Sequence, residues 1–114
     1  MTARASRTPR PGRAVRGSRS GRPVMALLDL LGRRWALRLL FELHEGGALG
    51  FAELQTRAAG ISPSVLAQRL RELCEAGLVA ARDDGRYGPG PDEAELARIL
   101  LQLDRWATRW ARRS

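Results

Sequence analysis

The chain of 114 residues carries 20 basic side chains, all of them arginine, against 12 acidic ones, and seven of the arginines fall within the first 23 residues, where there is no acid. Residues 24–114 hold 13 basic and 12 acidic side chains, so the formal charge of +8 divides into a strongly basic arm and a nearly neutral body, long enough for one small core and too short for two. No apolar run approaches the roughly 20 residues of a bilayer span, and one cysteine with one histidine excludes an internal disulfide or a Cys/His zinc cluster.

No apolar segment of about 7–15 residues follows the basic start, so a secretory leader is not expected, and the single thiol fits a reducing, cytoplasmic setting. Residues 1–23 place an arginine at every third position with Ser, Thr, Gly and Pro between. So little apolar surface cannot offset the entropy of ordering, and a disordered arm is expected. Arginine runs of this kind gather phosphates or enter a minor groove, which makes Arg10, Arg13, Arg16, Arg19 and Arg22 candidate DNA contacts. The bland alternative is a solubilising extension, absent altogether if translation starts at Met25.

The body, residues 24–114, reads as one domain. Val24, Leu27, Leu28 and Leu31 recur at i, i+3, i+4 and i+7, a short amphipathic helix that Gly32 ends. A second helix is expected from about Arg33 to Glu45, with Arg34, Arg38, Glu42 and Glu45 as a narrow polar stripe on an otherwise apolar cylinder, the central helix of the core. His44 sits at the edge of its apolar face with no carboxylate or nucleophile placed by the sequence to form a dyad, so a packing role is expected. Gly46-Gly47 breaks this helix, an extended piece follows over residues 48–51, and a short helix from about Phe51 to Ala58 carries Leu54 inward.

Ala59-Gly60-Ile61 then leads into a helix beginning at Ser62, and two helices joined by a short Gly-containing turn form the helix-turn-helix pattern. Both ends of the second helix are specified. Ser62 is placed as N-cap with Pro63 at N1, and Ile61 can staple to Leu66. Gly77 suits the left-handed C′ position, with Leu78 closing back on Leu73. Leu66, Leu70 and Leu73 form its buried stripe and leave Ser64, Gln68, Arg71 and Glu75 displayed. A major groove would meet Ser62 and Ser64 as phosphate contacts and Gln68 at a base edge or phosphate, flanked by Arg69 and Arg71. The charges of Arg69, Arg71, Glu72 and Glu75 cancel, so a merely solvated face stands as the alternative.

Leu78 to Arg82 reads as a strand, Asp83-Asp84-Gly85 as a tight turn and Arg86 to about Gly88 as the return strand, a wing whose Arg82 and Arg86 are candidate backbone contacts. Pro89 cannot donate to a ladder, which keeps the return strand short or at an edge. A last helix follows Gly90-Pro91, with Asp92, Glu93 and Glu95 at its start and Arg109, Arg112 and Arg113 at its end, both favourable to the helix dipole. Its apolar stripe runs from Leu96 through Ile99, Leu100, Leu103, Trp106 and Ala107 to Trp110, longer than a small core requires. Leu27, Leu31, Leu103, Trp106 and Trp110 are therefore the candidate interface of a homodimer, whose two-fold axis would present two recognition helices about one DNA turn apart; the alternative is that Trp106 and Trp110 pack on the body.

The fold class expected is mostly α with a small β-wing: a winged helix-turn-helix with a long terminal helix for dimerisation. No Ser/His/Asp set, metal cluster, paired-carboxylate cleft or phosphate-cradling loop is present, so neither an enzyme nor a bound cofactor is expected. The rival to a sequence-specific double-stranded DNA regulator is a winged-helix protein-interaction or RNA-associated module whose arm binds nucleic acid nonspecifically.

Three strings resemble the HxlR-type winged helix-turn-helix regulators, relatives of the MarR group. They are the opening Pro23-Val24 through Leu27-Leu28 to Gly32-Arg33-Arg34-Trp35, the Phe51-Ala52-Glu53-Leu54 motif, and above all Gly60-Ile61-Ser62-Pro63-Ser64-Val65-Leu66-Ala67-Gln68-Arg69-Leu70-Arg71-Glu72-Leu73 with Gly77-Leu78-Val79. The resemblance implies dimeric, cytoplasmic bacterial transcription factors with dimer contacts through the terminal helices, and Ser62, Ser64, Gln68 and Arg69 at the DNA. Three positions depart from the family pattern. Arg22 stands where many members carry a sensing cysteine, Tyr87-Gly88-Pro89-Gly90 replaces a longer wing, and Ser64 stands where lysine is frequent. Cys74, on the flank of the buried stripe, reads as a small hydrophobe. The sequence names no effector.

Overall fold

The computed structural model describes residues 22–113, in the order α1 (Pro23–Leu31), α2 (Ala36–Gly46), α3 (Phe51–Arg57), α4 (Pro63–Glu75), β1 (Val79–Ala81), β2 (Tyr87–Pro89) and α5 (Glu93–Arg113). The expectations for the arm arginines Arg10, Arg13, Arg16 and Arg19 fall outside the described residues. Arg22 is described: it is exposed and precedes α1, its carbonyl accepting from the Met25 and Ala26 amides.

The core lies where α2, α3 and α4 meet. Leu39 and Leu43 of α2, Leu54 of α3 and Leu66, Leu70 and Leu73 of α4 are its largest fully buried side chains, and burying each is worth roughly 1.5–3 kcal/mol. Leu30 and Leu31 of α1 and Val79 of β1 join the same cluster. The apolar residues of α2 and α4 recur every three or four positions, which is why both helices turn one face onto a common centre.

Two elements are placed differently from the sequence reading. α2 starts at Ala36 and not at Arg33, because Trp35 takes a left-handed φ of 77° and turns the chain between α1 and α2. Gly32 marks the end of α1, but no Gly stands at the left-handed position itself; long-range contacts of Arg33 and Trp35 hold it. In α1 the inward face is Ala26, Leu30 and Leu31, with Leu27 packed partly against the core, while Val24 and Leu28 are exposed. The regular spacing of leucines on α1 lets two neighbouring faces satisfy the same periodicity, and packing selects one of them.

The wing is a two-stranded antiparallel sheet that pairs Val79 with Pro89, Ala80 with Gly88 and Ala81 with Tyr87. The Arg82 amide donates to the Arg86 carbonyl at 2.7 Å, the Gly85 amide donates to the Arg82 carbonyl at 3.1 Å, and Gly85 sits at φ +85°, a three-residue hairpin loop. The strands are short, as Pro89 requires. Leu49, in the extended piece before α3, bridges Tyr87 through reciprocal 2.8 Å hydrogen bonds and ties the wing root to the body.

α5 splits along its length. Ala97 and Glu93 are buried and Leu100 packs partly against the core, whereas Ile99, Leu103, Trp106 and Trp110 stand exposed. Among the described residues, no helix is long and apolar enough to cross a membrane.

Candidate nucleic-acid interface

The local sequence sets the recognition helix α4 at both ends. At its start the Ser62 hydroxyl accepts from the Val65 amide at 3.2 Å, with Pro63 in the first turn. At its end the Leu78 amide donates to Leu73 at 3.0 Å and the Gly77 amide to Cys74 at 3.0 Å, with Gly77 at φ +79°, a complete Schellman closure. α3 is fixed at its start as well, the Glu53 carboxylate accepting from the Gly50 amide at 2.9 Å. The turn between α3 and α4 passes through Gly60 at φ +100°, and Ile61 and Leu66 both enter the core cluster.

On this frame Ser62, Ser64, Gln68 and Arg71 are exposed. The hydroxyls of Ser62 and Ser64 lie 3.4 Å apart at the head of the helix. Arg71 has no acidic partner among the described residues. Arg82 and Arg86 are exposed on the wing, where the Asp84 carboxylate is occupied in accepting from the Arg86 amide at 3.0 Å.

Arg69 is placed otherwise than the sequence reading supposed. Its Nε donates to the Arg34 carbonyl at 2.8 Å and its Nη1 lies 3.3 Å from Glu72 Oε1, so its side chain keeps only 17% of its exposure. The physical reason is Glu72, itself 6% exposed, whose other oxygen accepts from Arg33 Nη1 at 2.7 Å and from Gln68 Nε2 at 3.3 Å. A buried carboxylate needs this many donors to offset desolvation. The cluster binds the α1–α2 corner to the side of α4, and Arg33 also meets Asp29 of α1 at 3.7 Å. The i+3 and i+4 spacing of Glu72 to Arg69 and Gln68 was a signal available in the sequence; the partnership with Arg33 was not.

Two more placements differ from expectation. His44 does meet a carboxylate: its Nδ1 is 3.0 Å from Glu93 Oε1, in a shallow cleft where α5 docks on α2 beside Leu40, Phe41, Leu96, Ala97 and Leu100. The two residues are 49 apart, beyond the reach of local spacing. Leu31 lies inside the protomer core and Leu27 partly so, while Val24 and Leu28 occupy the outward face of α1. Leu103, Trp106 and Trp110 are on the open face of α5, where the two indoles stack 6.2 Å apart and Leu103 and Trp110 are 57% and 56% exposed. Burial, ahead of the Glu75 charge, raises the Cys74 thiol above its ordinary value, against a backbone hydrogen bond from Ala81 that lowers it. Among the described residues, no His/Cys/Asp/Glu group could hold a metal ion.

A capped helix displayed beside a short wing is the geometry of a winged helix-turn-helix, and the HxlR-like helix-turn-helix family matches over residues 30–114. The chain is a member of that family. It is 32% identical over 90 residues to the HTH-type transcriptional regulator YvaP of Bacillus subtilis, spanning 73% of this chain and 82% of that protein. Among solved structures, the quinone-bound YodB from B. subtilis superposes with a TM-score of 0.70 at 26% identity, covering 75% of this chain and 94% of that one. A transcriptional regulator of the MarR family from Enterococcus faecalis superposes at 0.71 with 28% identity, covering 79% and 86%. The HxlR-like family is one of DNA-binding transcriptional regulators, and the winged-helix fold with a long C-terminal helix is common to these relatives.

Proposed function

We propose that this HxlR-like chain is a sequence-specific double-stranded DNA-binding regulator that acts as a homodimer in a bacterial cytoplasm. The observation that carries the reading is α4, capped at both ends and packed through Leu66, Leu70 and Leu73, with Ser62, Ser64, Gln68 and Arg71 exposed along its length. In the major groove the two serine hydroxyls at the helix start would hold phosphate. Gln68 would reach a base edge by exchanging its 3.3 Å contact with Glu72 for an adenine, and Arg71 a phosphate or guanine. Arg82 and Arg86 of the wing would touch the flanking backbone. Arg69, anchored to Glu72 and to the Arg34 carbonyl, would shape this face from behind.

A second copy would cover Leu103, Trp106 and Trp110 of α5, with Val24 and Leu28 of α1 beside them. Exposed aromatics of this kind are typical interface anchors. Arg10, Arg13, Arg16, Arg19 and Arg22 would add phosphate contacts, and if all seven arm arginines took part the log-log salt slope would steepen by about 6 units. The test is fluorescence anisotropy of the full chain on a duplex it selects from a random pool, against scrambled duplex. A regulator prefers its site by about 10³-fold or more. Equal binding to both duplexes would favour the nonspecific protein-interaction or RNA-associated module instead.

A further inference from the structure

The corner between α1 and α2 contains a cation that the recognition helix does not neutralise. Asp29 and Glu72 face Arg33 and Arg69 in the cluster described above, two carboxylates against two guanidiniums. The third guanidinium of the corner, Arg34, is exposed and has no acidic partner among the described residues. Its Cζ lies 5.5 Å from the centre of the Trp35 ring, within the range of a cation–π contact. A guanidinium held over an aromatic ring keeps N–H donors that point away from it, and two of them match the oxygens of a phosphate.

The backbone from which Arg34 projects is held on both sides. The Arg34 carbonyl is held by Arg69 Nε at 2.8 Å, in the second turn of α4. Trp35, packed partly against the core, extends toward the turn before α4, where a Cβ built on Gly60 would be 3.7 Å from its Cη2. The left-handed φ of 77° at Trp35, a conformation that bulky L-residues rarely adopt, is what sets the indole under its neighbouring guanidinium. Arg34 is thus a charge without an acidic partner among the described residues, projecting from a held backbone beside the helix that carries Ser62, Ser64 and Gln68.

We infer that Arg34, held over Trp35, is a further phosphate-binding residue that grips the DNA backbone bordering the groove occupied by α4. This rests on the DNA-binding reading above and deepens it by assigning a contact outside the recognition helix and the wing. The Glu72 cluster acts on it indirectly, by holding the backbone from which Arg34 projects. A phosphate contact carries no base information, so its loss weakens all duplexes alike.

The experiment compares the full chain with its Arg34→Gln, Arg34→Lys and Arg98→Gln variants on the selected duplex and on scrambled duplex between 50 and 200 mM KCl. Arg34→Gln is expected to bind both duplexes about tenfold more weakly, with a salt slope reduced by about one unit per protomer. Arg34→Lys should restore the slope, and Arg98→Gln, on α5, should match the parent. In parallel, phenylglyoxal modification of the unaltered chain, read by mass spectrometry, should be suppressed by duplex at Arg34 and not at Arg98, a readout independent of variant folding. Selective binding by the parent, with an unchanged slope in Arg34→Gln and no protection of Arg34, overturns this inference alone. Failure of the parent to prefer any duplex overturns the DNA reading and this inference with it.

Discussion

Arg33 Nη1 donates to Glu72 Oε2 across 2.7 Å, joining the α1–α2 corner to the third turn of the recognition helix over a sequence separation of 39 residues. Glu72 is thereby the hub of α4: it neutralises Arg33 and Arg69, engages Gln68, and leaves Ser62, Ser64 and Arg71 to face outward. Glu72→Ala leaves two half-buried guanidiniums without their carboxylate and is expected to lower stability by about 1–3 kcal/mol. Glu72→Gln, which keeps the shape and part of the bonding, should cost less. Urea unfolding with an unchanged denaturant slope measures both.

The dimer prediction separates two parts of one helix. Trp106→Ala with Trp110→Ala removes two side chains that are about half exposed and lie outside the core cluster, so the folded chain should persist while the association constant falls by about 30-fold or more. Sedimentation equilibrium reads the change. Ala97→Asp, on the buried face of the same helix, should instead unfold the docking of α5 on α2. Loss of fold in the tryptophan variant, or no change in mass, contradicts the assignment.

Much of α4 was legible locally, because caps act within a few residues. Ser62, Pro63, Gly77 and Leu78 specify α4 through contacts made inside one turn, and the structure has each in the expected place. The Asp83-Asp84-Gly85 hairpin was legible for the same reason. What escaped were features settled by distant partners: the Trp35 corner, the Arg69–Glu72–Arg33 cluster and the pairing of His44 with Glu93. In α1, periodicity alone admitted Leu28 to the buried face, which the structure assigns to Ala26 and Leu30.

Two glycines after the recognition helix are needed for different reasons. Gly77 has open space around a built Cβ but a φ of +79°, so Gly77→Ala should cost about 1–2 kcal/mol of backbone strain. At Gly90 a Cβ would collide with the Gly77 carbonyl, a backbone atom that cannot give way, and Gly90→Ala should cost about 3 kcal/mol or more. Thermal unfolding of the two variants should place Gly90→Ala well below Gly77→Ala.

Glu42 predicts an acid-sensitive joint between α2 and α3. The Arg38 hydrogen bond, at 2.8 Å, is the main cause that holds its carboxyl below the ordinary 4.5, helped by Arg57 and opposed by partial burial. A carboxyl lowered on folding contributes stability that is fully present above its unfolded value and is lost as pH falls through the folded one. Stability should therefore decline as pH drops below about 4.5, and Glu42→Gln should flatten that limb while leaving the neutral-pH profile parallel.

Cys74 should be a slow thiol. Because burial raises it, less thiolate is present near neutrality than for a free cysteine, and alkylation of the folded chain by iodoacetamide should lag well behind that of the urea-unfolded chain. Cys74→Ser should leave DNA binding and its response to oxidants unchanged.

If α4 reads sequence, Gln68 is the side chain whose loss should show it. The direct measurement is anisotropy of the full chain and of its Gln68→Ala variant on the selected duplex and on single-base substitutions of it. The parent should prefer its duplex by about 10³-fold over scrambled DNA, and Gln68→Ala should reduce discrimination at one position of each half-site by about 1–3 kcal/mol. Uniform binding to every duplex by both proteins would contradict it.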